Sequence, residues 1–246
     1  MRKRVLALAL AGAFAATPAA AQDMTLQQLL EKHYEAIGGL DNWKDLQSFR
    51  ASGTMSIPAQ GLEAPFRMMA KRPNKIRIEF TIQGMTGVQA YDGSTAWAHL
   101  PFMNQPEPQK LPEDVADDLK QEADIDGPLI GYEEEGTQLE LMGMEETEGT
   151  QAYKIKITRK NGDVHYYFLD AEHFVPIKIE GTQTQMGQEI QFETILSDYK
   201  EVGDVLMPYS IQNQPGGPMI TLETIETNVP IEDSQFSMPK ANGEGQ

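Results

Sequence analysis

Hydrophobic and polar residues alternate with a period of two along most of this chain. Between Phe66 and Phe102, Ile76, Ile78, Phe80 and Ile82 alternate with Lys75, Arg77, Glu79 and Thr81. One strand therefore carries an apolar face and a polar face. Pro73-Asn74 before it and Gly84 to Gly87 after it are turn signals. Val88, Ala90 and Tyr91 lead into Asp92-Gly93-Ser94-Thr95, a hairpin signal, and Ala96-Trp97-Ala98 leads away. The same period marks Phe49, Ala51, Gly53, Met55 and Ile57, and a strand over 62–72 follows. It returns at 139–141, 153–157, 164–169, 175–184, 188–198, 205–213 and 218–228, with Asn161-Gly162 the strongest hairpin signal. About eleven strands in an antiparallel meander are predicted.

A helical period replaces this pattern in two places. Leu26, Leu29, Leu30, Tyr34 and Ile37 share one face of a helix over Thr25–Ile37, stopped by Gly38-Gly39. Leu40 to Leu46, carrying Trp43, reads as one further turn. Leu111, Val115 and Leu119 mark a second, acidic helix over Leu111–Ile125, after a proline-rich loop from Pro101 to Pro112. The insertion 101–136 reads as a flap within one sheet, not as a domain boundary. The pattern as a whole predicts a mainly β domain with few helices.

The first residues, MRKRVLALALAGAFAATPAAAQ, break with this pattern. A basic start, an apolar run too short to span a bilayer and small residues at Ala19-Ala20-Ala21 predict a secretory signal peptide over 1–21. The mature domain is then 22–246. The leader holds three of the 20 basic residues and none of the 37 acidic ones, which leaves the mature chain at −20. Such a charge disfavours nucleic acid and anionic lipid surfaces. The chain has no cysteine, so it has neither disulfides nor an N-terminal cysteine for a lipid anchor. A soluble periplasmic protein, monomeric and with no nucleic-acid partner, is expected.

Signals for chemistry are weak. His33, His99, His165 and His173 lack metal-ligand spacing. Ser197-Asp198-Tyr199-Lys200 matches S-x-x-K, but it ends a strand and its partner motifs are missing. No nucleophile elbow or nucleotide-binding loop is present. Acid runs such as Glu133-Glu134-Glu135 read as solvated faces. No catalytic residue, metal or cofactor is therefore predicted. Met55, Met68, Met69, Met85, Met103, Met142, Met144, Met186, Met207 and Met219 lie in or beside strands. Flexible thioethers suit either a core or a surface that accepts varied apolar shapes.

Several short motifs occur in a suggestive order. They are the helix ending Gly38-Gly39, Gly53, and Lys71-Arg72-Pro73-Asn74-Lys75-Ile76-Arg77. Then come Tyr91-Asp92-Gly93 with Trp97, Asp126-Gly127-Pro128-Leu129, and Asn228-Val229-Pro230-Ile231 before Phe236 and Pro239. In this order the chain resembles the LolA/LolB-like superfamily, in its outer membrane lipoprotein-sorting protein branch. The resemblance implies a strongly curved, unclosed antiparallel sheet, a half-barrel with helices plugging the concave side. It also implies a carrier of lipids or acylated lipoproteins, with inner- and outer-membrane protein partners. A sensor module of the same fold and an envelope hydrolase are the rival readings.

An apolar ligand is expected against the concave face, under the flap. The residues expected to contact it are Ile78, Phe80, Ile82, Met85, Trp97, Phe102, Met103, Val115 and Leu119.

Overall fold

Thr25 opens the first helix, α1 (Leu26–Ala36), with a reciprocal cap: its hydroxyl accepts from the Gln28 N–H while the Gln28 side chain accepts from the Thr25 N–H. Gly38 and Gly39 end it with φ of 104° and 94°, which only glycine adopts without strain. A Cβ on Gly38 would lie 2.1 Å from the Asp204 carbonyl oxygen. That glycine thus also lets the helix end meet a strand turn. The short α2 (Leu40–Asp45) follows. The computed structural model describes residues 24–239 apart from 104, 135, 186 and 187; the expected signal peptide and Met186 lie outside the described residues.

Among the described residues thirteen strands, where about eleven were expected, form one antiparallel sheet. They are β1 (Ser48–Ile57), β2 (Leu62–Lys71), β3 (Lys75–Ile82), β4 (Met85–Tyr91), β5 (Ala96–His99) and β6 (Gln109–Lys110), then β7 (Gln138–Thr147), β8 (Thr150–Thr158), β9 (Val164–Asp170), β10 (Pro176–Gln185), β11 (Gln188–Val202), β12 (Val205–Gln214) and β13 (Met219–Thr227). The two-residue β6, inside the proline-rich loop, has no period of its own to announce it. The spatial order is β6-β5-β4-β3-β2-β1-β13-β12-β11-β10-β9-β8-β7. Two meanders meet at the β1–β13 pair, and β6 and β7, consecutive in the chain, sit at opposite edges. The segment between them, which holds α3 (Glu113–Glu122), must cross one face of the sheet.

That face is concave. Helix α3 touches β3, β4 and β5 and also β10, and β3 and β10 stand six places apart in the strand order, so only a curved sheet brings them to one helix. Ala116, Leu119 and Ala123 of α3 pack on Ile76, Tyr91 and Ala96. Helix α1 covers the other half, with Leu29 and Leu30 on Leu129, Ile155, Ile157 and Leu169. Between them, Ala51, Met55, Phe66, Met207, Tyr209 and Leu222 form the central core with Leu46. The LolA-like half-barrel is thus realised, with a helix-covered concave side.

Because hairpins in an antiparallel sheet alternate between its two ends, the ends can be told apart. One end carries the β2–β3, β4–β5, β9–β10 and β11–β12 turns, and the helices are tied there. Leu206 N–H donates to the Ile37 carbonyl, His33 Nδ1 lies 2.9 Å from the Phe174 carbonyl, and Arg72 donates to the Leu46 and Trp43 carbonyls. His33 is buried, which lowers its pKa, so at neutral pH its ring is uncharged and donates Nδ1–H to Phe174. The opposite end carries the β1–β2, β3–β4, β8–β9 and β12–β13 turns.

Candidate functional site

Toward that second end the inner face keeps apolar side chains partly exposed. Register places Met55, Ile220, Ile211 and Leu196 in one row across four strands, and Phe66, Phe80 and Gly87 in another. Phe80, Ile82, Ile211, Ile220 and Leu196 are all intermediate in exposure, whereas Ile76 and Ile155, nearer the helices, are fully buried. Farther round the sheet, Gly181 faces His165 and Phe192, whose rings meet edge to face at 5.1 Å. The concave side is thus a core at the helix end and a half-open apolar trough at the other.

Phe102 covers part of this trough. The 3-10 turn Pro101–Met103 lays its ring against Phe80, with centroids 5.6 Å apart. A Cβ on Gly87 would lie 2.7 Å from the Phe102 ring, so glycine is what admits the flap here. Ile78, Phe80 and Ile82 share one face of β3, and Phe102 rests on Phe80 among them. Leu119 is buried under α3 beside Ile76, and Val115, on the same helix, is partly exposed. Met85 and Met103 are exposed, at 39% and 62%.

Trp97 does not join them, which corrects the expected placement. Tyr91 pairs with Ala96 and Ala90 with Trp97, so Trp97 shares its face with Arg77 and Val88, opposite to Ile76–Ile82. There it is 1% exposed, its indole N–H donates to the Phe236 carbonyl at 2.8 Å, and Arg77 lies over its ring. The C-terminal stretch 229–239 covers this convex face. Met238 packs on Trp97, Lys71 donates to the Ile231 carbonyl and pairs with Asp233, and Arg77 donates to the Gln235 carbonyl. The methionines also divide: Met55, Met68 and Met207 are in the concave core, while Met142 and Met144 are exposed on the edge strand β7.

Two groups on the concave side were not found from sequence. Glu122, near the end of α3, is an exposed residue, yet loss of part of its hydration, and then the Asp118 carboxylate, push its pKa up to about 7. Arg159, just past β8, continues the parity of Ile155 and Ile157, since its N–H donates to Asp163 across the hairpin. Its Nε is shut off from water and has no hydrogen-bond partner. Neither stands in a motif; only hairpin register and helix position bring them to this face. No catalytic grouping is assembled by these residues.

Comparison with known proteins gives the fold and the family. A LolA superfamily protein of Nitrosomonas europaea superposes with a TM-score of 0.57 at 14% identity, covering 87% of this chain and 97% of that one. A structure described as an outer membrane lipoprotein-sorting protein domain, from Vibrio parahaemolyticus, gives 0.54 at 14% identity, with coverages of 85% and 94%. A DUF1329 family protein of Desulfovibrio piger gives 0.54 at 11% identity, with coverages of 86% and 96%. At such identities the likeness is one of fold. No curated protein matches by sequence. Among the described residues no helix is long and apolar enough to cross a membrane. A family model matches residues 62–205, more than half of the chain, and its description agrees with the periplasmic location expected above: the chain belongs to the family described as predicted periplasmic protein (DUF2092).

Proposed function

We propose that this protein is a non-catalytic periplasmic carrier whose trough holds the acyl chains of a lipid or lipidated protein, after residues 1–21 are removed on export. The observation that carries this reading is the partly exposed inner row Phe80, Ile82, Leu196, Ile211 and Ile220 at the end away from the helices. Large aliphatic and aromatic groups facing a concavity gain free energy when a chain of methylenes replaces water there, about 0.8 kcal/mol for each CH₂ buried. About ten methylenes would contribute roughly 8 kcal/mol before association and ordering costs. That suffices to hold a cargo and still permits hand-off to a membrane partner. Phe102 on its short turn is a cover held by few contacts, which such loading requires.

The test is native mass spectrometry of protein purified from its own periplasm, together with titration of a fluorescent fatty-acyl probe. Co-purified lipid and saturable probe binding are expected. A protein that carries no lipid and does not bind the probe would overturn the reading.

A further inference from the structure

Arg159 stands apart from the other described arginines. Arg50, Arg67 and Arg77 point to the convex face by strand parity, and Arg77 is paired with Glu79. Arg72 is paired with Asp126. Arg159 lies on the concave face at the end where the trough is open, whereas Arg72 sits at the helix end. The Arg159 Nε is shut off from water and has no hydrogen-bond partner. The nearby Asp163 carboxylate accepts instead from Asn161 at 2.6 Å.

An unpaired, water-excluded N–H is costly, because the donor has lost its hydration and gained nothing. The cost disappears if an anion supplies the missing acceptors. A planar guanidinium is suited to carboxylate and phosphate, which it grips with two parallel hydrogen bonds. The surroundings fit the head of an amphiphile. Ile157 and His165 are cross-strand neighbours of one another on this face, and His165 meets Phe192 edge to face. Burial first, and then the Arg159 charge, lower the pKa of His165, so its ring is neutral and can donate a hydrogen bond.

We propose that Arg159 anchors the anionic head, a carboxylate or a phosphate, of an amphiphile whose chain lies in the trough along Phe192, Leu196 and Ile211. This rests on the acyl-binding reading and adds to it a demand on the ligand: a negative charge at the end of the chain that stays at the trough mouth.

The experiment compares palmitate, a single-chain phosphatidyl lipid of the same chain length and the uncharged monopalmitin, each titrated into the mature protein and into Arg159→Gln and Arg159→Lys. Wild type should bind at least one anionic ligand about tenfold to a hundredfold more tightly than monopalmitin. Arg159→Gln should erase that difference without changing monopalmitin binding, and Arg159→Lys should restore part of it. Which anionic probe is preferred tells carboxylate from phosphate. Acetate and inorganic phosphate alone should bind too weakly to measure. The melting temperature of Arg159→Gln should be unchanged or higher, because a desolvated donor is removed; an arginine serving only to brace the fold would give a fall. Equal binding of charged and uncharged ligands by wild type overturns the anchor while leaving the acyl trough standing, and does so even if Arg159→Gln fails to fold. Binding of none of the three overturns both.

Discussion

Arg72 and Asp126 share two hydrogen bonds, Nη1 to Oδ2 at 2.5 Å and Nη2 to Oδ1 at 2.6 Å. The pair joins the β2–β3 turn to the segment that crosses the concave face. Arg72 also donates to the Leu46 and Trp43 carbonyls, so one guanidinium holds a strand turn, α2 and the crossing segment together. The hydrogen bond to Asp126 is the main reason the Arg72 pKa is raised. Both side chains are largely shielded, at 21% and 25% exposure. Removing either partner leaves the other charge half-buried and alone. Arg72→Ala or Asp126→Ala should each cost about 1–3 kcal/mol in urea unfolding. The double variant should cost clearly less than the sum, and strict additivity in the cycle would show that the pair is not coupled.

Trp97 belongs to the seal between the convex face and the C-terminal stretch. Trp97→Phe keeps most of the packing but strands the Phe236 carbonyl that accepted the indole N–H. Stability should fall by about 1 kcal/mol, with the affinity for a fatty-acyl probe unchanged. A loss of probe binding at unchanged stability would place Trp97 in the binding site after all.

The flap separates into two residues with different duties. Phe102 rests on Phe80 and Gly87, whereas Met103 is mostly in water. Phe102→Ser should weaken probe binding severalfold with a small change in melting temperature. Met103→Ser should leave melting temperature unchanged, and its effect on binding should be smaller. A collapse of stability in Phe102→Ser would make the flap a fixed piece of core. Probe affinity unaltered in both would remove the flap from the ligand's path.

Glu122 gives the protein a pH dependence of unusual sign for an acid. Its folded pKa, about 7, lies above the ordinary 4.5. Between those values the folded state holds the proton more firmly than the unfolded one, so this group favours folding at low pH and its contribution is lost as pH rises through about 7. The side chain keeps contact with water, which screens the effect to about 1 kcal/mol. Glu122→Gln should therefore be more stable than wild type at pH 8 and equal to it at pH 4, in parallel denaturation curves. Asp92, Asp170 and Glu180, whose pKa values are lowered, act in the opposite sense at acid pH, and subtracting the two curves isolates Glu122.

Much of this was legible from residue pattern. Ile76 to Ile82 do share one face, Asn161-Gly162 and Asp92-Gly93 do turn the chain, and Thr25 and Gly38-Gly39 do bound the first helix. Trp97 was misplaced because a side chain's face in β5 depends on how many residues the preceding turn consumes. With Tyr91 opposite Ala96, one more step puts the indole outside. The cover over it was hidden because Phe236 and Met238 stand in an irregular stretch with no period. Arg159 was hidden for a related reason: it lies past the end of its strand, and only the register of the hairpin after it says which way it points. The short motifs, by contrast, turn out to be fastenings. Arg72 meets Asp126, Trp97 meets Phe236, and the Asn228 side chain accepts from the Gln47 N–H.

The crossing segment sets a mechanical condition on the sheet. Residues 111–137 join strands at the two outermost edges, as a string joins the tips of a bow. Any flattening of the sheet drives those tips apart and draws the string taut, and any deepening of the bend leaves it slack. The width of the trough and the path of this one stretch of chain are therefore a single variable. A bulky guest that spreads the strands must take up length from the same residues that hold α3 in place, and added residues between Glu122 and Gln138 would let the bow relax without altering a single strand.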